Sequence, residues 1–251
     1  KQPPSDPILE RLRTMSLADK IGQMVMVGIE GRYVNEDMTA WFKEGRIGGV
    51  ILYGDNIVNM EQTIELVNGL KQASGAAGIE PPLFIATDQE GGLVSRLPDE
   101  SGEFPPARTI GETGDPQYAL SIGRAIGQAM AALGMNMDFA PVLDVDTNPD
   151  NPVIGNRAFG TTPEDVIRMG IPVMKGIRSE GVIPVVKHFP GHGDTEEDSH
   201  LGLPVVTHDQ ERLDRVELAP FAAAIEQGAD VVMVAHLLMR AQDPDVPSSM
   251  S

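Results

Sequence analysis

The chain has 251 residues, 41% of them hydrophobic, which is enough for a soluble globular protein to bury one sizeable core. A formal net charge of −18 argues against binding to nucleic acid or to an anionic membrane, and a neutral or amino-sugar ligand is easier to accommodate. There is no cysteine, so disulfides, thiolate metal sites and a cysteine nucleophile are excluded.

Residues 1–8 are predicted to form an N-terminal arm or linker, because three of the first seven residues are proline. Neither an apolar run of membrane-spanning length nor a signal-peptide core occurs in the sequence. A start at Lys1 rather than Met suits a secreted or cell-envelope protein whose leader has been removed, and a cytoplasmic location stays open. No pattern in the sequence indicates the oligomeric state.

From residue 9 onward, short runs rich in Val and Ile alternate with amphipathic stretches, as in βα units that build a parallel sheet. The pattern predicts six strands, near Gln23–Gly28, Gly49–Tyr53, Leu83–Thr87, Asn136–Leu143, Ile183–Lys187 and Asp230–Ala235.

Capping residues predict the helices between these strands. Asn59 precedes a helix over 60–73. Asp115-Pro116, Thr162-Pro163 and Asp209 precede helices that end at Gly134, Gly181 and Gly228. Proline at the first helical position and glycine just past the end are typical of helix termini.

Two architectures fit this pattern, an open six-stranded sheet and an incomplete barrel. The strand starts are about 41 residues apart on average, so eight such units would need roughly 330 residues. Polar residues follow five of the strands: Asp55, Asp88-Gln89-Glu90, Asp144 with Asp146, Lys187-His188, and His236. Because barrel sites collect side chains from the carboxyl ends of several strands, we predict a (β/α)8 TIM-type barrel over 9–251 with about six units present.

The segment 187–200 is the richest in titratable groups, with three His and four carboxylates in fourteen residues. Asp198 and His200 are two residues apart on this loop, so the carboxylate can orient the imidazole and stabilise its protonated form. Such a pair is suited to general acid/base catalysis near neutral pH. Two other interpretations stay open, a solvated acidic loop and a metal site built from His188, His192, Asp194, Asp198 and His200.

Three segments resemble the β-N-acetylhexosaminidase branch of the family 3 glycoside hydrolases. They are Asp88–Leu97 (DQEGGLVSRL), Asn148–Gly160 (NPDNPVIGNRAFG) and Lys187–Pro204 (KHFPGHGDTEEDSHLGLP). The similarity extends from about residue 8 to 250. In that branch the Asp-x-His pair of the third segment serves as the acid/base, which makes Asp198 and His200 the expected catalytic residues.

The resemblance also implies a pocket for a terminal N-acetylglucosamine, lined by Asp88, Arg96, Arg157, Lys187 and His188. The chemistry suits a sugar, because carboxylates accept hydrogen bonds from hydroxyls while Arg and Lys donate to them. Lys187 and His188 are adjacent, so both can face one pocket only if the strand ends or bulges there. The resemblance implies no metal and no cofactor.

The implied activity is that of a retaining exo-β-N-acetylhexosaminidase acting on β-linked N-acetylglucosamine, with peptidoglycan fragments as the expected source. A retaining glycosidase needs a second carboxylate as nucleophile. In this family it is an Asp after the seventh strand, in a segment resembling Ser-Asp-Asp-Leu. No such segment follows His236. We therefore expect a barrel truncated before strands seven and eight, and negligible hydrolysis by this chain alone. A phosphorylase of the same family and a non-catalytic sugar-binding barrel are the alternatives.

Overall fold

The computed structural model describes residues 6–251. Residues 1–5, most of the predicted arm, lie outside this range. The chain divides into two compact units, one formed by residues up to 86 with 133–135 and the other by 87–132 with 136–251. No helix among the described residues is long and apolar enough to cross a membrane.

The first unit alternates helices with parallel strands. Its elements are α1 (Pro7–Thr14), α2 (Leu17–Gln23), β1 (Met26–Gly28), α3 (Glu36–Ala40), a π-helical turn (Trp41–Gly45), β2 (Gly49–Ile51), α4 (Met60–Ala76) and β3 (Phe84–Thr87), whose last residue is grouped with the second unit. β1 pairs with β2 and β2 with β3, in both cases in parallel.

Side-chain caps explain where these helices begin. Asn59 accepts from the backbone N–H of Gln62, which confirms the predicted start of α4. Ser16 and Asp19 form a reciprocal capping box at the start of α2. Since α2 runs to Gln23, the first strand is shorter than predicted and begins only at Met26.

The second unit carries the longer helices and the remaining strands. Its elements are α5 (Ala107–Glu112), α6 (Pro116–Ala132), β4 (Met137–Asp138), α7 (Pro163–Ser179), β5 (Ile183–Phe189), β6 (Val205–Val206), α8 (Gln210–Arg215), α9 (Ala219–Glu226), β7 (Val231–Val234) and β8 (Leu238–Met239). β4 and β7 both pair in parallel with β5, while β6 and β8 form a separate two-stranded sheet.

Glycines bring α6 and α7 into close contact. A Cβ added at Gly123 would overlap the carbonyl of Val173, and one at Gly176 would overlap the backbone of Leu120 and Arg124. The two helices therefore pack backbone to backbone, which fixes α7 before the chain enters β5.

The predicted helix from Asp209 to Gly228 is wrong in one respect, because it is two helices. α8 ends at Arg215, and α9 begins at Ala219 with Pro220 in its first turn. Proline lacks an N–H and clashes with the preceding turn of a continuous helix, whereas the first turn tolerates it. The break leaves Glu217 buried in the connection.

Candidate active site

A buried lysine joins two carboxylates at the end of β3. The Lys187 ammonium lies 2.6 Å from Asp88 Oδ1 and 2.7 Å from Glu90 Oε1. The side chain of Glu90 is 4% exposed and that of Asp88 is 22% exposed. Asp88 is therefore the carboxylate that a ligand can reach, whereas Glu90 is committed to holding its protein partners.

Arg157 completes this cluster from the 3-10 turn Gly155–Arg157. Its Nε and Nη2 donate to the two oxygens of Glu90, both at 2.8 Å, in the bidentate geometry that Arg and carboxylate prefer. Burial alone would raise the pKa of Glu90, but Arg157 and Lys187 more than offset this and leave that pKa lowered. Burial alone would lower the pKa of Arg157, but the hydrogen bonds with Glu90 and the charge of Glu90 leave the pKa of Arg157 raised. Glu90 is thus an anion that fixes two cations beside Asp88.

His188 is oriented by a fully buried carboxylate, Asp144. The His188 Nδ1 lies 2.6 Å from Asp144 Oδ2, and the His188 backbone N–H donates to the same oxygen at 3.2 Å. Burial would raise the pKa of Asp144, but His188 and the backbone N–H of His192 leave it lowered. Asp144 is therefore ionised and accepts from Nδ1–H. This leaves the His188 Nε2 lone pair to accept from Arg157 Nη2 at 3.3 Å.

An irregularity in β5 lets two adjacent side chains serve one cluster. The register of β5 against β7 shifts between Val186 and Phe189. Lys187 contacts Asp88 and Glu90, while His188 contacts Arg157 and Asp144. From the sequence, we expected adjacent Lys187 and His188 to face the same side only if the strand ended or bulged at that point. The register shift of β5 lies at these two residues.

The loop after β5 is held at its root and carries Asp198 and His200 further on. Asp194 accepts from Thr147 Oγ1 at 2.7 Å and also pairs with His208. Asp198 Oδ1 lies 2.7 Å from His200 Nδ1 and 2.9 Å from the His200 backbone N. These bonds, the backbone one first, lower the pKa of Asp198. The predicted carboxylate–imidazole pair is therefore formed.

The structure unites some of the predicted site residues and leaves others apart. Asp88, Arg157, Lys187 and His188 form one connected cluster. The His200 side chain is 83% exposed, and within residues 6–251 its hydrogen bonds go only to Asp198. For Arg96 the described contacts include its backbone N–H donating to Gln89 at 2.9 Å, but no ion pair.

The residues of the alternative metal site do not form a cluster of ligands in the described part of the chain. Among residues 6–251, no group of three or more His, Asp and Glu is arranged to hold a metal ion. Asp194 and His192 are engaged by protein partners, the latter through Thr195 and Ser199. His236, at the end of β7, is exposed and pairs with Ser249.

Glu90, Asp144 and His192 are the residues of this region that the sequence did not assign to the sugar pocket or to the acid/base pair. The first two stand at predicted strand ends, so their positions carried a signal. What the sequence did not show was their pairing, because Asp144 and His188 are separated by 44 positions and Glu90 and Arg157 by 67. His192 carried only the signal of its place in a loop rich in His.

Parallel strands whose carboxyl ends carry interlocked acidic and basic side chains are typical of α/β-barrel enzymes. A family model described as "Glycosyl hydrolase family 3 N terminal domain" matches residues 16–251, and the chain therefore belongs to glycosyl hydrolase family 3.

The chain is similar to proteins named beta-hexosaminidase and beta-N-acetylglucosaminidase. Beta-hexosaminidase A of Pseudoalteromonas piscicida is 43% identical over 202 residues, covering 78% of this chain and 34% of the relative. A solved family 3 beta-N-acetylglucosaminidase from Paenibacillus sp. str. FPU-7 is 44% identical with a TM-score of 0.91, covering 93% of this chain and 44% of that one. Native NagZ from Neisseria gonorrhoeae is 34% identical with a TM-score of 0.82, covering 89% and 65%.

These matches confirm the predicted family and the incomplete TIM-type barrel. The chain spans between about a third and two thirds of the length of these relatives.

Proposed function

We propose that the protein containing this domain is a retaining exo-β-N-acetylhexosaminidase that removes terminal β-linked N-acetylglucosamine. Peptidoglycan fragments are the proposed source of the substrate. The observation that carries the proposal is the hydrogen-bonded Asp198–His200 pair on the loop that leaves the strand bearing Lys187 and His188. The names of the relatives support the same sugar specificity.

The cluster around Lys187 supplies groups suited to a sugar ring. The partly exposed Asp88 can accept hydrogen bonds from two neighbouring hydroxyls, and Lys187 and Arg157 can donate to hydroxyl oxygens with charge-assisted strength. In the proposal Arg96 and His188 also line this pocket. Glu90 holds both cations from within the protein, while Asp88, whose side chain is 22% exposed, stays within reach of the ligand.

The proposed mechanism uses His200 first as acid and then as base. With Nδ1–H held by Asp198, Nε2 of the protonated ring gives its proton to the glycosidic oxygen as the bond to the sugar breaks. A carboxylate nucleophile attacks the anomeric carbon from the opposite face and forms the glycosyl-enzyme. The neutral His200 then takes a proton from water as the water oxygen displaces the carboxylate, so two inversions give net retention.

The test compares two substrates in a His200→Ala variant of the protein expressed from its complete reading frame. Loss of the acid should lower kcat/KM about 10²- to 10⁴-fold for a 4-methylumbelliferyl β-N-acetylglucosaminide. The 2,4-dinitrophenolate anion leaves without protonation, so formation of the glycosyl-enzyme from a 2,4-dinitrophenyl glycoside should be largely spared. An unchanged rate with both substrates, or release of the α-anomer by the wild-type protein, would refute the proposal.

A phosphorylase is the second candidate, because a histidine acid/base leaves the site less negative than a glutamate would and tolerates phosphate as the acceptor. Wild-type rates in phosphate and in a non-nucleophilic buffer separate the two. Formation of N-acetylglucosamine 1-phosphate with a faster rate in phosphate would favour the phosphorylase, and equal rates with free sugar as product would favour the hydrolase.

A further inference from the structure

A buried imidazole lies at the root of the loop that carries Asp198 and His200. The His192 residue is 2% exposed, with Nδ1 at 2.6 Å from Thr195 Oγ1 and Nε2 at 3.0 Å from Ser199 Oγ. Ser199 is the residue between Asp198 and His200 in the sequence. The contact between His192 and Ser199 therefore acts at the centre of the proposed catalytic pair.

The surrounding hydrogen bonds determine the direction of this contact. The single hydroxyl hydrogen of Thr195 is donated to the His192 carbonyl at 3.0 Å, so Thr195 Oγ1 must accept from His192 Nδ1–H. Burial lowers the pKa of His192, which keeps its ring neutral at neutral pH. With the proton on Nδ1, Nε2 carries a lone pair and accepts the Ser199 hydroxyl hydrogen.

The same residue is tied to the sugar pocket through its backbone. The His192 N–H donates to Asp144 Oδ1 at 2.6 Å, and the other oxygen of Asp144 holds His188 Nδ1. One buried carboxylate thus fixes both the pocket imidazole and the anchor of the loop. The path from pocket to loop runs from His188 through Asp144 and His192 to Ser199.

We infer that His192 and Ser199 are positioning residues that hold Asp198 and His200 at a defined distance from the pocket of Asp88, Arg157 and Lys187. The inference rests on the proposed acid/base role of His200. Neither residue needs to touch the substrate. His192 and Ser199 increase the fraction of time during which His200 is in position to transfer a proton.

The kinetic test is Ser199→Ala in the protein from its complete reading frame, with Ser199→Thr as the variant that retains the hydroxyl and the exposed Glu196→Gln as the control on the same loop. One neutral hydrogen bond is worth about 0.5–1.5 kcal/mol, which corresponds to a loss of kcat/KM, the constant that reports formation of the glycosyl-enzyme, between about twofold and tenfold on the methylumbelliferyl substrate. We expect that loss in Ser199→Ala only, with an unchanged kcat/KM on the dinitrophenyl substrate and unchanged affinity for N-acetylglucosamine. Equal losses on both substrates, or no loss on either, would overturn the inference.

His192→Asn supplies a second, independent variant. The shorter amide can still donate to Thr195, whereas it cannot reach Ser199. It should reproduce the Ser199→Ala phenotype, and the double variant should lose no more than either single one, because both remove the same interaction. Additive losses would contradict a shared contact.

Amide hydrogen exchange tests the anchor without any turnover. In Ser199→Ala, exchange at the amides of residues 198–202 should accelerate by a similar twofold to tenfold, while residues 183–189 of β5 stay unchanged. Unchanged exchange over 198–202 refutes the anchor whatever the activity. Accelerated exchange together with a fully active His200→Ala variant would instead refute the proposed function and leave the anchor standing.

Discussion

Replacing Glu90 with glutamine removes the one anion that joins Arg157 to Lys187. The wild-type carboxylate accepts three charge-assisted hydrogen bonds, two from Arg157 at 2.8 Å and one from Lys187 at 2.7 Å. In the variant, one amide oxygen can still accept, but the amide NH2 must face a cation. Two positive groups then share a buried site in which Asp88 contacts Lys187 and Asp144 acts on Arg157 through its charge.

The expected loss of stability is about 3 kcal/mol. Breaking a buried ion pair by removing one partner costs about 3–5 kcal/mol. The lower end applies because the Arg157 side chain is 19% exposed and Lys187 keeps its contact with Asp88. For a chain of this size each kcal/mol lowers Tm by about 2–4 °C, so Tm should fall by about 6–12 °C.

Urea denaturation at several pH values is the measurement, with Glu65→Gln on the exposed face of α4 as a charge-matched control that changes stability by less than about 0.5 kcal/mol. The pKa of Glu90 is lowered in the folded protein, so its stabilising contribution is present above its ordinary value of 4.5 and is lost as pH falls through the folded pKa. The gap between wild type and Glu90→Gln should therefore narrow in acid. A loss below about 1 kcal/mol at pH 7, or a gap that does not depend on pH, would refute this account of the cluster.

Two further substitutions probe the second unit. Burial raises the pKa of Asp138 well above 3.8, so the folded protein retains a proton that the unfolded chain releases, and this contribution to stability is lost as pH rises. Asp138→Asn keeps an acceptor for the Gln89 N–H and has no proton to lose. The free energy of unfolding of the variant minus that of the wild type should therefore increase between pH 4 and 7. A difference that stays constant over this range would contradict the raised pKa. Gly193→Ala places a Cβ against the carbonyl of Val145 and should cost about 1–3 kcal/mol in thermal unfolding, whereas Gly75→Ala, with open space around it, should cost nothing; equal Tm values for the two variants would argue against the tight packing.

Local sequence chemistry predicted the helices well and the strand ends less well. Thr162 caps α7 as expected, because a cap needs only a side chain and a backbone N–H three residues away. The fourth strand was predicted to reach Leu143, but the paired strand covers only 137–138. Pro141 cannot donate to a neighbouring strand, and Val142 meets Lys187 only as an isolated bridge.

The break between α8 and α9 shows a conflict between two local signals. Asp209 and Gly228 mark a start and an end correctly, since α8 begins at Gln210 and α9 ends two residues before the glycine. Between them, Pro220 interrupts a continuous helix. Caps predict where helices begin and end, but they do not report whether one helix or two lies between them.

The candidate site divides in the same way according to separation along the chain. The Asp198–His200 bond joins residues two apart and followed from their spacing alone. The Lys187–Asp88 bond joins residues 99 apart, so the sequence could assign both to one mouth but could not show that Glu90 lies between them. Arg157 makes the point most clearly. Taken alone it has the character of a surface ion pair, and the buried carboxylate of Glu90, 67 positions away, makes it part of the cluster. Separation along the chain therefore decides which of these bonds the spacing of residues can predict.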